Sequence, residues 1–177
     1  MSAQTLALAL IALALALLAA GALARRRTGL PWGRVLADDV GAGRALQRPL
    51  YARRFGLTGR PDYLIERGGV SIPVEVKPGR RAPRPYDSDL MQLAAYCLLV
   101  EEATGQAPPY GLLRYAEATF RLAYTDEVRE RLLDTLDAMR ELLDEDDAAR
   151  SHDDPRRCGG CGFRATCADS LAPDDAV

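Results

Sequence analysis

Residues 56–79, GLTGRPDYLIERGGVSIPVEVKPG, decide how this chain reads. Residues 61–66 and 70–76 are apolar and β-branched enough to form two strands, and Arg67-Gly68-Gly69 supplies the turn that lays them side by side. Side chains alternate along a strand with a period of two. Glu75 and Lys77 therefore share one face, and Asp62 enters the neighbouring strand beside them. Two converging carboxylates offer hard oxygen ligands to Mg²⁺ or Mn²⁺, with the carbonyl of Val76 as a third donor. An ammonium at Lys77 can then steady an attacking water or the charge developing on phosphorus. An ordinary strand with Glu and Lys on its wet face satisfies the same spacing. Lys77 is the only lysine in the chain, against 22 arginines, which favours a role needing a compact ammonium.

Outward from this hairpin, residues 49–55 read as a further strand, so the first half of the domain is a β-meander. After the loop KPGRRAPRPYD, residues 88–104 have helical spacing, with Ser88 as N-cap and Gly105 as the stop. Residues 109–116 and 118–124 form a hairpin. Thr125, Glu127 and Val128 open a second helix that reaches about Asp147, with Leu132, Leu133, Leu136 and Met139 facing inward. The order strands, helix, strands, helix is that of an α/β domain. The acidic run Glu145-Asp146-Asp147 is a solvated helix end, and residues 28–47 read as a linker with a short helical possibility around Val35 to Asp39.

Leu6 to Ala24 is 19 residues without a charge, followed at once by Arg25, Arg26 and Arg27. That length spans a bilayer's hydrocarbon core. Ala22-Leu23-Ala24 resembles a cleavage site, but MSAQT has no positive n-region, so the segment reads as an uncleaved anchor rather than a signal peptide. The arginines on its C-terminal side place residues 25 onward in the cytoplasm. The expected organisation is an anchor over 1–27, a linker over 28–47, one domain over 48–171 and a disordered tail over 172–177.

The 177 residues leave room for one catalytic domain, and the apolar content excludes general disorder. A net charge of −2 conceals segregation. Residues 25–85 hold 14 basic against 5 acidic residues, and residues 86–177 hold 9 against 20. A basic half around the carboxylate pair suits a polyanion such as nucleic acid; juxtamembrane arginines and an acidic helix give the same pattern.

Cys158, Cys161 and Cys167 form C-x₂-C-x₅-C within RRCGGCGFRATCADS, a compact soft-ligand cluster of metal-binding spacing. A disulfide would need an oxidising compartment and would leave one cysteine over. Cys97, mid-helix, reads as a small buried core residue, and His152, the only histidine, as an exposed residue of an acidic loop.

GLTGRPDYLIERGGVSIPVEVKPG resembles the G-x-(I/P)-D and E-x-K core of RecB-type PD-(D/E)XK exonucleases. Gln92 and Tyr96 in MQLAAYCLLVEEATG resemble the Q-x-x-x-Y helix of that lineage, and an i, i+4 spacing puts both on one helical face. PYGLLRY and the C-terminal cysteines resemble the CRISPR-associated RecB-like exonucleases. The resemblance covers about residues 49–171. It implies a restriction-endonuclease-like α/β fold, here preceded by one transmembrane helix, with a mixed sheet flanked by helices. It implies Asp62 and Glu75 as metal ligands, Lys77 as catalytic, Gln92 and Tyr96 in support, and single-stranded DNA ends as substrate. It also implies a [4Fe–4S] cluster on Cys158, Cys161 and Cys167, whose fourth, N-terminal cysteine has no counterpart here; zinc with His152 or a carboxylate is the other option. The family's upstream histidine is missing too, and Asp38 or Asp39 could supply an acidic substitute. The rival expectations are a membrane-tethered DNA-binding scaffold without turnover and an electron-transfer role for the cysteines.

Overall fold

The computed structural model describes residues 3–28, 34–38, 48–145 and 149–171, and the chain divides into two compact units, residues 1–134 and 135–177. In the first unit, strands β1 (Arg34–Asp38), β4 (Tyr63–Arg67), β5 (Val70–Lys77), β6 (Tyr110–Tyr115) and β7 (Thr119–Ala123) form a five-stranded sheet in the order β1-β4-β5-β6-β7. Strands β2 (Leu50–Ala52) and β3 (Leu57–Gly59) pair separately. All neighbours are antiparallel except β5 and β6, which run parallel because helix α2 (Asp87–Thr104) crosses between them. This is the mixed α/β sheet with flanking helices that the sequence leads one to expect.

Gly68 (φ 61°) and Gly69 (φ 79°) form the two-residue β4–β5 turn, a conformation that glycine adopts without strain. Pro73 is tolerated in central β5 because the ladder to β6 begins only at Val74. The alternation of β5 sorts its side chains. Ile72 and Val74 bury with Ile65, Tyr110 and Leu112 on one face; Glu75 and Lys77 lie on the other, which α2 covers. There Leu93 packs with Leu113 and Tyr115. Gly111 is required for that approach, since a Cβ on it would stand 2.7 Å from Leu93 Cγ and 3.1 Å from Cys97 Sγ.

Several expectations need correction. Within residues 28–47, Arg34–Asp38 is an edge strand rather than linker or helix, because pairing with β4 outweighs local preference. The rest of 28–47, including Asp39, and the tail 172–177 lie outside the described residues. Residues 49–55 divide into β2 and a 3₁₀ turn over Arg53–Phe55. Helix α2 starts before Ser88: Tyr86 is the N-cap without a side-chain cap, and its amide is taken by Tyr115 Oη at 3.0 Å. Helix α3 (Asp126–Leu143) stops short of Asp147, since carboxylates oppose the negative end of the helix dipole. Leu132 is buried, but Met139 is 55% exposed.

Ahead of the sheet, helix α1 (Ala3–Thr28) contains a 20-residue stretch, Gln4–Leu23, that is long and apolar enough to cross a membrane by length and composition, and none of it is buried.

Candidate metal centre

The β4–β5 hairpin places Asp62 just before β4 and opposite the end of β5. Asp62 Oδ2 accepts a hydrogen bond from the Val76 amide at 2.6 Å. N–H and C=O of a strand residue face the same edge, so the Val76 carbonyl faces the side on which Asp62 stands. Glu75, 5% exposed, accepts from Lys77 Nζ at 2.7 Å and from Gln92 Nε2 at 3.0 Å, both on Oε1. Gln92 Nε2 also donates to Tyr96 Oη at 2.9 Å. The fold thus gathers Asp62, Glu75, Val76, Lys77, Gln92 and Tyr96 from one hairpin and one helix.

Both donors to Glu75 converge on one oxygen, Oε1, and the Asp62 carboxyl lies within hydrogen-bonding reach of Glu75, so the two acidic groups meet side by side. Burial raises the Glu75 pKa, as does the neighbouring Asp62 charge, against the lowering effect of Lys77. Burial works against the Lys77 ammonium, but its bond to Glu75 prevails and its pKa is raised. Burial and the two carboxylates also raise Tyr96. A cation between Asp62 and Glu75 would relieve the excess of negative charge, so the donor set suits a hard divalent ion. Among the described residues no group of three or more His, Cys, Asp or Glu side chains is arranged to hold a metal. Upstream, Asp38 stands opposite Tyr63 in the β1–β4 register.

One part of this region was not anticipated. Asp89, 3% exposed, takes a short hydrogen bond from Tyr115 Oη and an ion pair from Arg80 Nε at 2.9 Å. Its spacing of three from Gln92, which puts both on one face of α2, was the available signal. Cys97 is fully buried as expected, and burial pushes its thiol up to about 12.

In the second unit, Asp154 caps the short helix α4 (Pro155–Gly159) through the Arg156 amide at 3.0 Å, and Cys158, Cys161 and Cys167 follow on successive turns. All three thiols are free and line a cavity of about 250 Å³. His152 lines it as well and is half-buried, not the exposed residue expected. Arg150 joins the two ends of the segment, donating to the His152 carbonyl at 2.7 Å and the Asp169 carbonyl at 3.1 Å. Soft thiols beside an imidazole are a donor set for iron or zinc, although the four side chains do not converge on one point.

A mixed sheet carrying Asp, Glu-x-Lys and a Gln-x-x-x-Tyr helix defines a nuclease class, and comparison with known families agrees. The chain belongs to the PD-(D/E)XK nuclease superfamily, whose family model matches residues 5–168. It is 28% identical over 158 residues to a CRISPR-associated exonuclease Cas4/endonuclease Cas1 fusion of Leptospira interrogans, covering 76% of this chain and 29% of the relative. It is 29% identical over 132 residues to the fusion of the same description in Myxococcus xanthus, covering 71% of this chain and 23% of the relative. The chain thus spans about a quarter of the length of the curated relatives it matches. The crystal structure of SSO0001 is similar over 71% of this chain and 58% of its own, with a TM-score of 0.48 at 23% identity.

Proposed function

We propose that this chain is a divalent-metal-dependent deoxyribonuclease, an exonuclease acting on single-stranded DNA ends. The carrying observation is the paired carboxylate site, in which the Val76 amide fixes Asp62, Lys77 and Gln92 fix Glu75, and the two carboxyl groups meet each other. Mg²⁺ or Mn²⁺ bound there would supply a Lewis acid and a more acidic water. Lys77, kept protonated by Glu75, holds positive charge beside the phosphate as the phosphorus–oxygen bond breaks. Gln92 and Tyr96 orient Glu75, and Arg53, Arg54, Arg60, Arg80, Arg81 and Arg84 supply the charge that guides the strand. Manganese-dependent nucleotide release tests this reading; equal release by wild type, Asp62→Ala and Lys77→Ala would refute it.

The same reading includes tethering by helix α1, with the nuclease domain on the cytoplasmic side of the arginines, and an iron–sulfur cluster or zinc on Cys158, Cys161 and Cys167. The apolar stretch of α1 and the shared cysteine cavity support these parts. Visible absorbance after anaerobic purification, lost in Cys158→Ser, checks for iron–sulfur; stoichiometric zinc in colourless protein would exclude it. A second reading, a DNA-binding scaffold with weakened turnover, is favoured by the missing upstream histidine. Calorimetry showing DNA binding without manganese binding would select it.

A further inference from the structure

Asp89 is an unusual carboxylate. In the first turn of a helix the dipole already favours an acidic side chain at the surface, yet Asp89 is 3% exposed. Arg80 grips it with two donors, Nε to Oδ2 at 2.9 Å and Nη2 to Oδ1 at 3.3 Å, and Tyr115 Oη adds a third. Burying an ion pair contributes little net stability, because desolvation of both charges offsets their attraction. The arrangement specifies geometry, and what it fixes is the guanidinium of Arg80.

That guanidinium is held on two sides, by its fork against Asp89 and by its face over the Tyr86 ring at 4.5 Å. The Arg80 backbone is also tied, its amide to the Lys77 carbonyl at 3.1 Å and its carbonyl to the Ala116 amide at 3.1 Å. Tyr115 Oη, which donates to Asp89, also accepts the Tyr86 amide, so the loop from β5 to α2 is pinned at both ends. The fixed arginine stands three residues beyond Lys77, and the charge of Asp89 is felt at the Lys77 ammonium. Its outer edge, Nη1, has no partner among the described residues, and the side chain is 43% exposed. Its neighbour Arg81, by contrast, is 74% exposed and pairs with Glu117 at the surface.

We propose that Arg80 is a preorganised phosphate clamp, whose outer N–H edge binds a backbone phosphate of the DNA strand beside the phosphodiester held at Lys77. Asp89, Tyr86 and Tyr115 are its positioning residues. A guanidinium locked in place loses less side-chain entropy on binding than a free one, and its planar fork matches phosphate geometry. The proposal rests on the nuclease reading above.

The test is binding of a labelled single-stranded oligonucleotide to the full chain in detergent, in EDTA so that the strand stays intact, between about 50 and 200 mM salt. Arg80→Gln is expected to weaken binding about tenfold and to flatten the log–log salt dependence by about 0.7, the loss of one phosphate contact. Arg80→Lys keeps the cation beside Asp89 and the salt slope but still binds several-fold more weakly, because the fork is gone. Asp89→Asn, which frees the arginine, weakens binding at unchanged slope. If Arg80→Gln binds with wild-type affinity and slope, the clamp is refuted while the nuclease reading stands. Should Arg80→Gln not fold, Arg80→Lys decides: wild-type affinity in that variant overturns the proposal. A wild-type chain that binds no DNA overturns the nuclease reading and the clamp with it.

Discussion

Replacing Lys77 with methionine keeps the apolar stem and deletes the ammonium that meets Glu75 at 2.7 Å. Glu75 is then a carboxylate 5% exposed, with Gln92 as its remaining donor. A hydrogen bond to a charged group contributes about 1.5–3 kcal/mol, and because the Lys77 side chain is itself 27% exposed we expect about 1–2 kcal/mol at pH 8. That corresponds to a fall in Tm of roughly 2–8 °C for a chain of this size. The loss depends on pH with a definite sign. The Glu75 pKa is raised above its ordinary 4.5, so the folded protein holds this proton more tightly than the unfolded chain does. The ionised carboxylate therefore costs stability as pH climbs through the window above 4.5. Without Lys77 that cost grows. Melting curves at pH 5 and pH 8 should show a small loss for Lys77→Met at the acid value and the full loss at the alkaline one. Added Mn²⁺ should restore more stability to the variant than to the wild type. Equal losses at both pH values, with no differential effect of Mn²⁺, would refute the electrostatic account of the site.

Other consequences are simpler to check. Calorimetric Mn²⁺ affinity should fall on acidification with an inflection above 4.5, because protonation of Glu75 competes with the metal, and Glu75→Gln should abolish that dependence. In the metal-free protein the Lys77 ammonium, held by Glu75, should titrate above its ordinary 10.5; an NMR titration in EDTA that places it below that value would exclude the Lys77–Glu75 pairing. Tyr96→Phe removes the oxygen that orients Gln92 and should cost about 1 kcal/mol, roughly fivefold in activity, with stability little changed. Gly111→Ala should destabilise the fold by about 1–3 kcal/mol through its collision with Leu93, and Leu93→Val should recover part of this in a melting experiment.

Much was legible in the sequence because it is local. The period of two in residues 70–77 put Glu75 and Lys77 on one face, paired glycines announced the hairpin, and a spacing of four aligned Gln92 with Tyr96. What could not be read depends on partners distant in the chain. Residues 34–38 carry weak strand preference and become a strand only because the edge of β4 accepts them. The parallel β5–β6 pairing, made possible by the α2 crossover, brings Gln92 onto Glu75 across 17 positions and buries Asp89 against Tyr115 across 26. The sequence by itself determined the β4–β5 hairpin, the helix α2 and the chemistry that their faces offer. Only the tertiary structure decided which oxygen of each carboxylate takes its N–H donor, which arginine of the β5–α2 loop is fixed, and that His152 shares a cavity with the three cysteines. Propensity and periodicity sense a few neighbours along the chain, whereas burial and hydrogen bonding are settled between segments that meet after folding.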